Sequence, residues 1–127
     1  MKKPFISICT PTYNRRKFIP KLIEMVKKQT YPQERIEWLI YDDGTDKIAD
    51  LVETIFNVRY FYDNKKKTIG YKRNFLNRKA KGDIIVCMDD DDMYPVNRVE
   101  HAVQILLENP QVKCAGCSEI YVMFKTN

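Results

Sequence analysis

Histidine, tryptophan and glycine are scarce in this 127-residue chain: there is one His, one Trp and four Gly. With His101 as the lone imidazole, neither a Ser-His-Asp nor a Cys-His catalytic arrangement is credible. His101 also lies off the apolar stripe of its segment and is expected to be exposed and inert. No glycine occurs between Thr10 and Lys17, so the first strand is not followed by a Gly-rich phosphate loop. No apolar run reaches the roughly 20 residues that a membrane-crossing helix needs. Met1-Lys2-Lys3-Pro4 leads straight into an apolar strand and not into the core of a secretory leader. The expectation is a cytoplasmic protein, or one held at the cytosolic face of a membrane by regions outside this sequence. Four cysteines are present, but Cys114-Ala115-Gly116-Cys117 supplies only half of a zinc site, and Cys9 and Cys87 fall in apolar runs as small core residues. Neither structural zinc nor a disulfide is expected.

What remains is the composition of one globular domain, with 44% hydrophobic and 31% charged residues. The net charge of +5 is unevenly spread. From Lys65 to Lys81 there are eight basic residues and no acidic one, which reads either as a solvated face or as an attractor of phosphate.

Alternating apolar runs and amphipathic segments follow one another along the chain. Phe5 to Cys9 reads as a buried strand stopped by Thr10-Pro11, and Phe18, Ile19, Leu22, Ile23 and Val26 mark the core face of a helix from about Arg15 to Gln29. Ile36 to Tyr41 is a second strand running into Asp42-Asp43-Gly44-Thr45-Asp46. There Gly44 permits a tight turn, and Thr45 or Asp46 can cap a helix over Lys47 to Phe56. A third strand is expected at Val58 to Tyr62. Ile69, Leu76 and Ala80 mark the next helix face, and Gly82 ends that helix. Asp83 to Met88 reads as a central strand covered on both sides. Val96, Val99, Val103, Leu106 and Leu107 make a fourth helix, stopped by Asn109-Pro110, and Val112 to Cys117 reads as a fifth strand. The pattern specifies an α/β fold, a mostly parallel sheet flanked by helices on both faces, whose ligands bind at the carboxyl ends of the strands.

Three polar motifs occupy those ends: Tyr13-Asn14, Asp42-Asp43, and Asp89-Asp90-Asp91-Asp92. Four adjoining carboxylates repel one another unless a cation sits among them, and Mg²⁺ or Mn²⁺ takes one or two protein carboxylates together with waters and phosphates. A solvated acidic turn is the alternative. Asp43, beside a glycine turn, can accept a hydrogen bond from a base N–H or serve the turn alone. Tyr13 offers a ring for stacking or for packing. Lys72, Arg73 and Arg78 project from the helix after the basic loop, either as surface charges or toward a phosphate.

Together, Ile8-Cys9-Thr10-Pro11-Thr12-Tyr13-Asn14-Arg15, Tyr41-Asp42-Asp43-Gly44, Arg73-Asn74 with Gly82-Asp83, and Met88-Asp89-Asp90-Asp91-Asp92 resemble the family 2 glycosyltransferases of GT-A fold. The resemblance runs from Phe5 to about Tyr121 and matches the amino-terminal, nucleotide-sugar-binding portion of that family. It implies a donor such as a UDP- or GDP-sugar, with Mn²⁺ or Mg²⁺ as cofactor. Pro11, Thr12 and Tyr13 would contact the base, Asp43 would read its edge, and Arg73 would lie near the diphosphate. Asp89 to Asp91 would be the Asp-x-Asp element, with Asp91 as metal ligand and Asp89 and Asp90 toward ribose or the metal's waters, Asp89 being the second candidate ligand. Transfer in the family inverts the anomeric centre, using a carboxylate base from the acceptor half. Residues 1–127 are therefore expected to form one nucleotide-sugar-binding domain without that half, with a glycan, lipid or protein as acceptor. The turn at Asp42 to Asp46 is one residue shorter than the family's usual Asp-Asp-Gly-Ser-x-Asp form.

Two other readings are open. A nucleic-acid-binding module would use residues 65–81 but leaves the four aspartates unexplained. Another metal-dependent phosphate enzyme is the second: a sugar nucleotidyltransferase, which lacks its Gly-rich loop here, or an aspartate-nucleophile phosphatase, whose nucleophile would follow the first strand instead of the fourth.

Overall fold

The computed structural model describes residues Lys3–Gly116, and its framework is a four-stranded, wholly parallel sheet. Strands β1 (Ile6–Thr12), β2 (Ile36–Asp42), β3 (Val58–Tyr62) and β4 (Ile84–Cys87) lie in the order β3-β2-β1-β4. Helices α1 (Ile19–Lys27), α2 (Ala49–Val52), α3 (Ile69–Lys79) and α4 (Arg98–Glu108) alternate with them. A 3-10 turn at Arg16–Phe18 leads into α1, and a second at Gln33–Arg35 leads into β2.

Every residue of β1 and β2 is buried, as parallel strands covered on both faces must be. One face, with Ile6, Ile8, Trp38 and Ile40, packs against Leu22 and Val26 of α1, Val52 of α2, and Val99 and Val103 of α4. The other face, with Cys9, Leu39 and Tyr41, is covered by Leu76 of α3, flanked by Phe61 and Phe75. Burial drives the Cys9 thiol up to about 12, so it remains a neutral core residue. The rings of Tyr41, Phe61 and Phe75 meet edge to face, with centroids 4.8 and 5.2 Å apart.

Several expectations change. The helix expected over Lys47–Phe56 shrinks to the single turn Ala49–Val52, and neither Thr45 nor Asp46 caps it; the Asp42 carboxylate takes the Ile48 N–H at 3.0 Å. Strand β4 is not central: among the described residues it pairs only with β1, leaving Ile85 and Cys87 exposed, so Cys87 is not a core residue. The chain after α4 makes no strand between Val112 and Gly116, and Cys117 lies outside the described residues. Ile69 is exposed, whereas Lys72 on the same stripe is buried. His101 is exposed as expected.

Two glycines act through close approach. A Cβ on Gly82 would lie 2.6 Å from the Ser7 backbone nitrogen, and one on Gly44 would lie 2.6 Å from Asn14 Oδ1. Gly82 thus lets the chain cross against β1, where its own N–H donates to Ser7 Oγ at 2.8 Å. Since both sides of the Gly82 contact include backbone, Gly82→Ala is expected to cost about 1–3 kcal/mol through overpacking. Urea denaturation measures it, and an unchanged midpoint would contradict the account.

Candidate functional site

The ladder between β1 and β4 stops where a proline removes its next donor. Register runs from Ile6↔Ile84 to Cys9↔Cys87, and the Met88 N–H still reaches the Cys9 carbonyl at 3.1 Å. Pro11 has no N–H with which to continue it. The Thr10 hydroxyl substitutes by donating to the Met88 carbonyl at 2.6 Å, while accepting the Trp38 indole N–H at 2.9 Å. Beyond this point β1 continues alongside β2 as far as Thr12↔Asp42, and the chain after β4 departs from it. A cleft of about 240 Å³ opens there, lined by Pro11, Thr12, Tyr13, Arg15, Ile69, Lys72, Arg73, Asp89, Asp90 and Asp91. Carboxyl ends of parallel strands are where such sheets bind ligands.

The acidic wall is held by polar contacts of different strength. Asp90 is nearly buried and accepts the Thr12 hydroxyl at 2.7 Å. Its carboxyl is held above the usual value chiefly by burial and further by Asp91 and Asp89, while the Thr12 hydroxyl and Arg15 pull the other way. Arg73 Nη2 lies 3.3 Å from Asp89 Oδ1, a half-exposed pair that cancels part of the wall's charge. Tyr94 supports the run from below. Its hydroxyl oxygen accepts the Asp89 N–H at 2.6 Å, and its ring carries the Arg98 guanidinium at 4.6 Å. Gln29 ties the following loop to α1 by donating to the Pro95 carbonyl and accepting from the Val99 N–H.

The two aspartates ending β2 have separate tasks. Asp42 is fully buried and accepts from the Gly44 and Ile48 N–H groups and from the Tyr60 hydroxyl, so it is a latch for the turn. Asp43 faces the α3 side. Lys72 Nζ lies 2.7 Å from its Oδ1, the Lys67 N–H donates to its Oδ2 at 2.6 Å, and its side chain is 0% exposed. Lys72 also donates to the Thr12 carbonyl at 3.1 Å. Tyr13 stands over this group, half-buried, with Lys66 Nζ 4.5 Å and Lys72 Nζ 6.0 Å from its ring centroid. Neighbouring Asn14 holds φ 52, the left-handed region, and its Oδ1 accepts the Asp46 N–H at 2.9 Å.

Of the residues singled out in the sequence, Pro11, Thr12, Tyr13, Arg73, Asp89, Asp90 and Asp91 thus line one cleft, and Asp43 stands behind its wall. Lys72 is neither a surface charge nor one of three equivalent phosphate seekers. It spans the interior to Asp43, and its spacing of four from Leu76, on the stripe that continues to Ala80, was the signal for this. Arg15 joins the lining as well. Among the described residues no three His, Cys, Asp or Glu side chains converge into a protein-only metal shell. Asp89 and Asp91 both line the cleft and Asp91 is exposed there; carboxylates are the donors that a hard cation takes together with phosphate and water.

Because burial raises Asp90, the folded state holds its proton to higher pH than the unfolded chain does. This carboxyl therefore costs stability as pH rises from the unfolded Asp value through the folded one, and above that window the cost is constant. Thr12→Val removes the opposing hydroxyl and should move the Asp90 titration further up. Carboxyl-carbon NMR titration checks this, and an unmoved or lowered midpoint would count against it.

The sequence profile described as Glycosyl transferase family 2 matches residues 7–126. A glycosyltransferase of Haemophilus influenzae is 31% identical over 121 residues, covering 91% of this chain and 48% of its own length. The crystal structure of S. aureus TarS 1-349 with UDP superposes with a TM-score of 0.77 at 25% identity, over 94% of this chain and 38% of that one. A mannosyltransferase of Pyrobaculum calidifontis in complex with GDP-Man and Mn²⁺ shares the fold, with a TM-score of 0.73 at 22% identity over 84% of this chain and 33% of that one. The chain spans less than half the length of these relatives, and its parallel sheet with helices on both faces is their α/β, GT-A architecture. With the profile matched over nearly its full length, the chain belongs to glycosyl transferase family 2.

Proposed function

We propose that this chain forms the donor-binding part of a glycosyltransferase that takes a nucleoside-diphosphate sugar, a UDP- or GDP-sugar, with Mn²⁺ or Mg²⁺. The observation that carries the reading is the single cleft that joins a stacking ring, Tyr13, to a basic group, Arg73, and an acidic wall, Asp89 to Asp91. A base laid on Tyr13 would direct its diphosphate along the cleft toward Arg73, whose guanidinium can fork onto phosphate oxygens. Asp91 and Asp89 would hold the divalent cation, which supplies charge neutralisation to the leaving diphosphate. Asp90, fixed by Thr12, would face the ribose or the cation's waters. The relatives named above support the donor class, since one was solved with UDP and another with GDP-Man and Mn²⁺.

Transfer of the sugar would proceed with inversion to a glycan, lipid or protein acceptor, with a carboxylate base from a part of the enzyme outside residues 1–127. No helix among the described residues is long and apolar enough to cross a membrane. We place the protein in the cytoplasm or at the cytosolic face of a membrane. The nucleic-acid reading is weaker because the basic stretch borders an acidic wall that would repel a phosphate backbone.

Calorimetry and thermal melting with UDP and GDP, with and without Mn²⁺, test the reading. At about 100 times its Kd a ligand adds about 2.7 kcal/mol, which corresponds to a melting shift on the order of 10 °C. The shift should need the metal, and Asp91→Ala should weaken metal-dependent binding about tenfold or more. A folded sample with no nucleotide-dependent shift would refute the proposal.

A further inference from the structure

Among the described residues α3 is the one helix on its side of the sheet, and its outer face is uncovered. Lys72 and Leu76 turn inward, whereas Tyr71, Asn74 and Arg78, at i, i+3 and i+7, share an exposed outer stripe. Three of the eight basic residues between Lys65 and Lys81 meet a carboxylate: Lys67 at Asp63, Lys72 at Asp43 and Arg73 at Asp89. Lys65, Lys66, Arg78, Lys79 and Lys81 are exposed and have no acidic partner among the described residues. Across the sheet the charges balance locally. There Lys21 and Lys28 flank Glu24 on α1, and Arg16 pairs with Asp46 and Asp50. Two apolar side chains stand among the unpaired cations. Ile69 is 52% exposed and Tyr71 45%, both at the end of α3 that meets the cleft, where Ile69 is part of the lining.

We propose that the outer face of α3, with the loop before it, docks on an anionic lipid surface. The proposal stands without the donor-site reading, because it concerns a different face of the molecule. An aliphatic side chain such as Ile69 gains nothing from a phosphate and is stabilised by leaving water for an apolar phase. Tyr71 suits the boundary between the two, with an apolar ring and a hydroxyl that stays wet. Lysine and arginine stems lie along such a boundary while their heads reach the headgroup phosphates. A cluster of about four to eight such cations is what a negatively charged leaflet holds. A nucleic acid would meet the cations but leave Ile69 in water, and its backbone would run toward the acidic wall beside α3. The convex helix also supplies no groove to track a strand. Because Ile69 lies on both the face and the cleft lining, docking sets the cleft mouth at the lipid surface.

Cosedimentation of the chain with vesicles of phosphatidylglycerol and phosphatidylcholine, against vesicles of phosphatidylcholine alone, tests this. The chain should bind the anionic vesicles and not the neutral ones. Binding should fall about tenfold or more as salt rises from about 0.1 M to about 1 M, where the screening length drops from about 10 to about 3 Å. Lys65→Gln/Arg78→Gln/Lys81→Gln should lower partitioning about a hundredfold, at about fivefold per cation. Lys17→Gln/Lys21→Gln/Lys27→Gln removes the same charge from the α1 side and should lower it about threefold or less. All six side chains are exposed, and thermal melts establish that each variant is folded. Arg78→Gln alone, with a loss of about fivefold, decides where the α3 triple variant is not. Equal losses in the two triple variants, neutral vesicles bound as tightly as anionic ones, or no binding to vesicles overturns the proposal. Binding of a duplex oligonucleotide at about 0.15 M salt, with none to vesicles, overturns it in favour of a nucleic acid.

Discussion

The end of the β1–β4 ladder is the constraint from which the rest of the site follows. Two parallel strands with an uninterrupted ladder leave no room between them. Pro11 removes the donor that would extend the pairing, and Thr10 closes the last rung with its side chain, so the two chains part at a fixed height. Everything that lines the cleft is then placed by its distance along the chain from that point. Thr12 reaches across to Asp90, Tyr13 overhangs the gap, and Asp89 to Asp91 form the opposite wall. The same hydroxyl that closes the rung also satisfies the Trp38 indole. The cleft is therefore anchored to β2, at the centre of the sheet, and not to a mobile loop.

Charge is distributed across the site by depth. The buried Lys72–Asp43 pair lies in the interior, where an ion pair survives with the support of further hydrogen bonds, and here the Thr12 carbonyl and the Lys67 N–H supply one to each partner. Arg73–Asp89 lies half-exposed at the rim, where solvent screening leaves it free to exchange partners. One pair is thus architecture and the other is replaceable by a ligand.

Most of the framework was legible in the sequence. β3 begins and ends where the pattern places it, and β1 and β2 announce themselves as short β-branched runs that end in polar residues. The four aspartates after an apolar strand, and Pro11 to Tyr13 after another, sufficed to bring them to one end of the sheet. What was not legible depended on neighbours distant in sequence. The apolar run Ile84–Cys87 looks central, yet the described chain supplies no strand on its outer side, since Val112 to Gly116 forms none. Asp43 reads as a base contact or a turn residue, and only the packing of α3 shows that it faces a lysine while Asp42 holds the turn. Lys72 carried the right periodicity for burial, but a lysine on an apolar stripe is discounted until its counter-ion is visible. The short α2 reflects the same limit, because the Asp42 carboxylate, and not the local sequence, sets where that turn begins.

Asn14 and Gly44 meet so closely that neither position is independent. Asn14 adopts a left-handed backbone that few residues tolerate, and its side chain fills the space that any Cβ on residue 44 would need. The two sit on different loops, thirty residues apart, and each defines what the other can be. In descendants of this chain they should be inherited as a unit: a lineage that replaces the glycine must first have lost the asparagine's conformation, and with it the hydrogen bond that places Asp46. Drift in either loop is thereby confined by the other, which links the histories of two motifs that the sequence displays as separate.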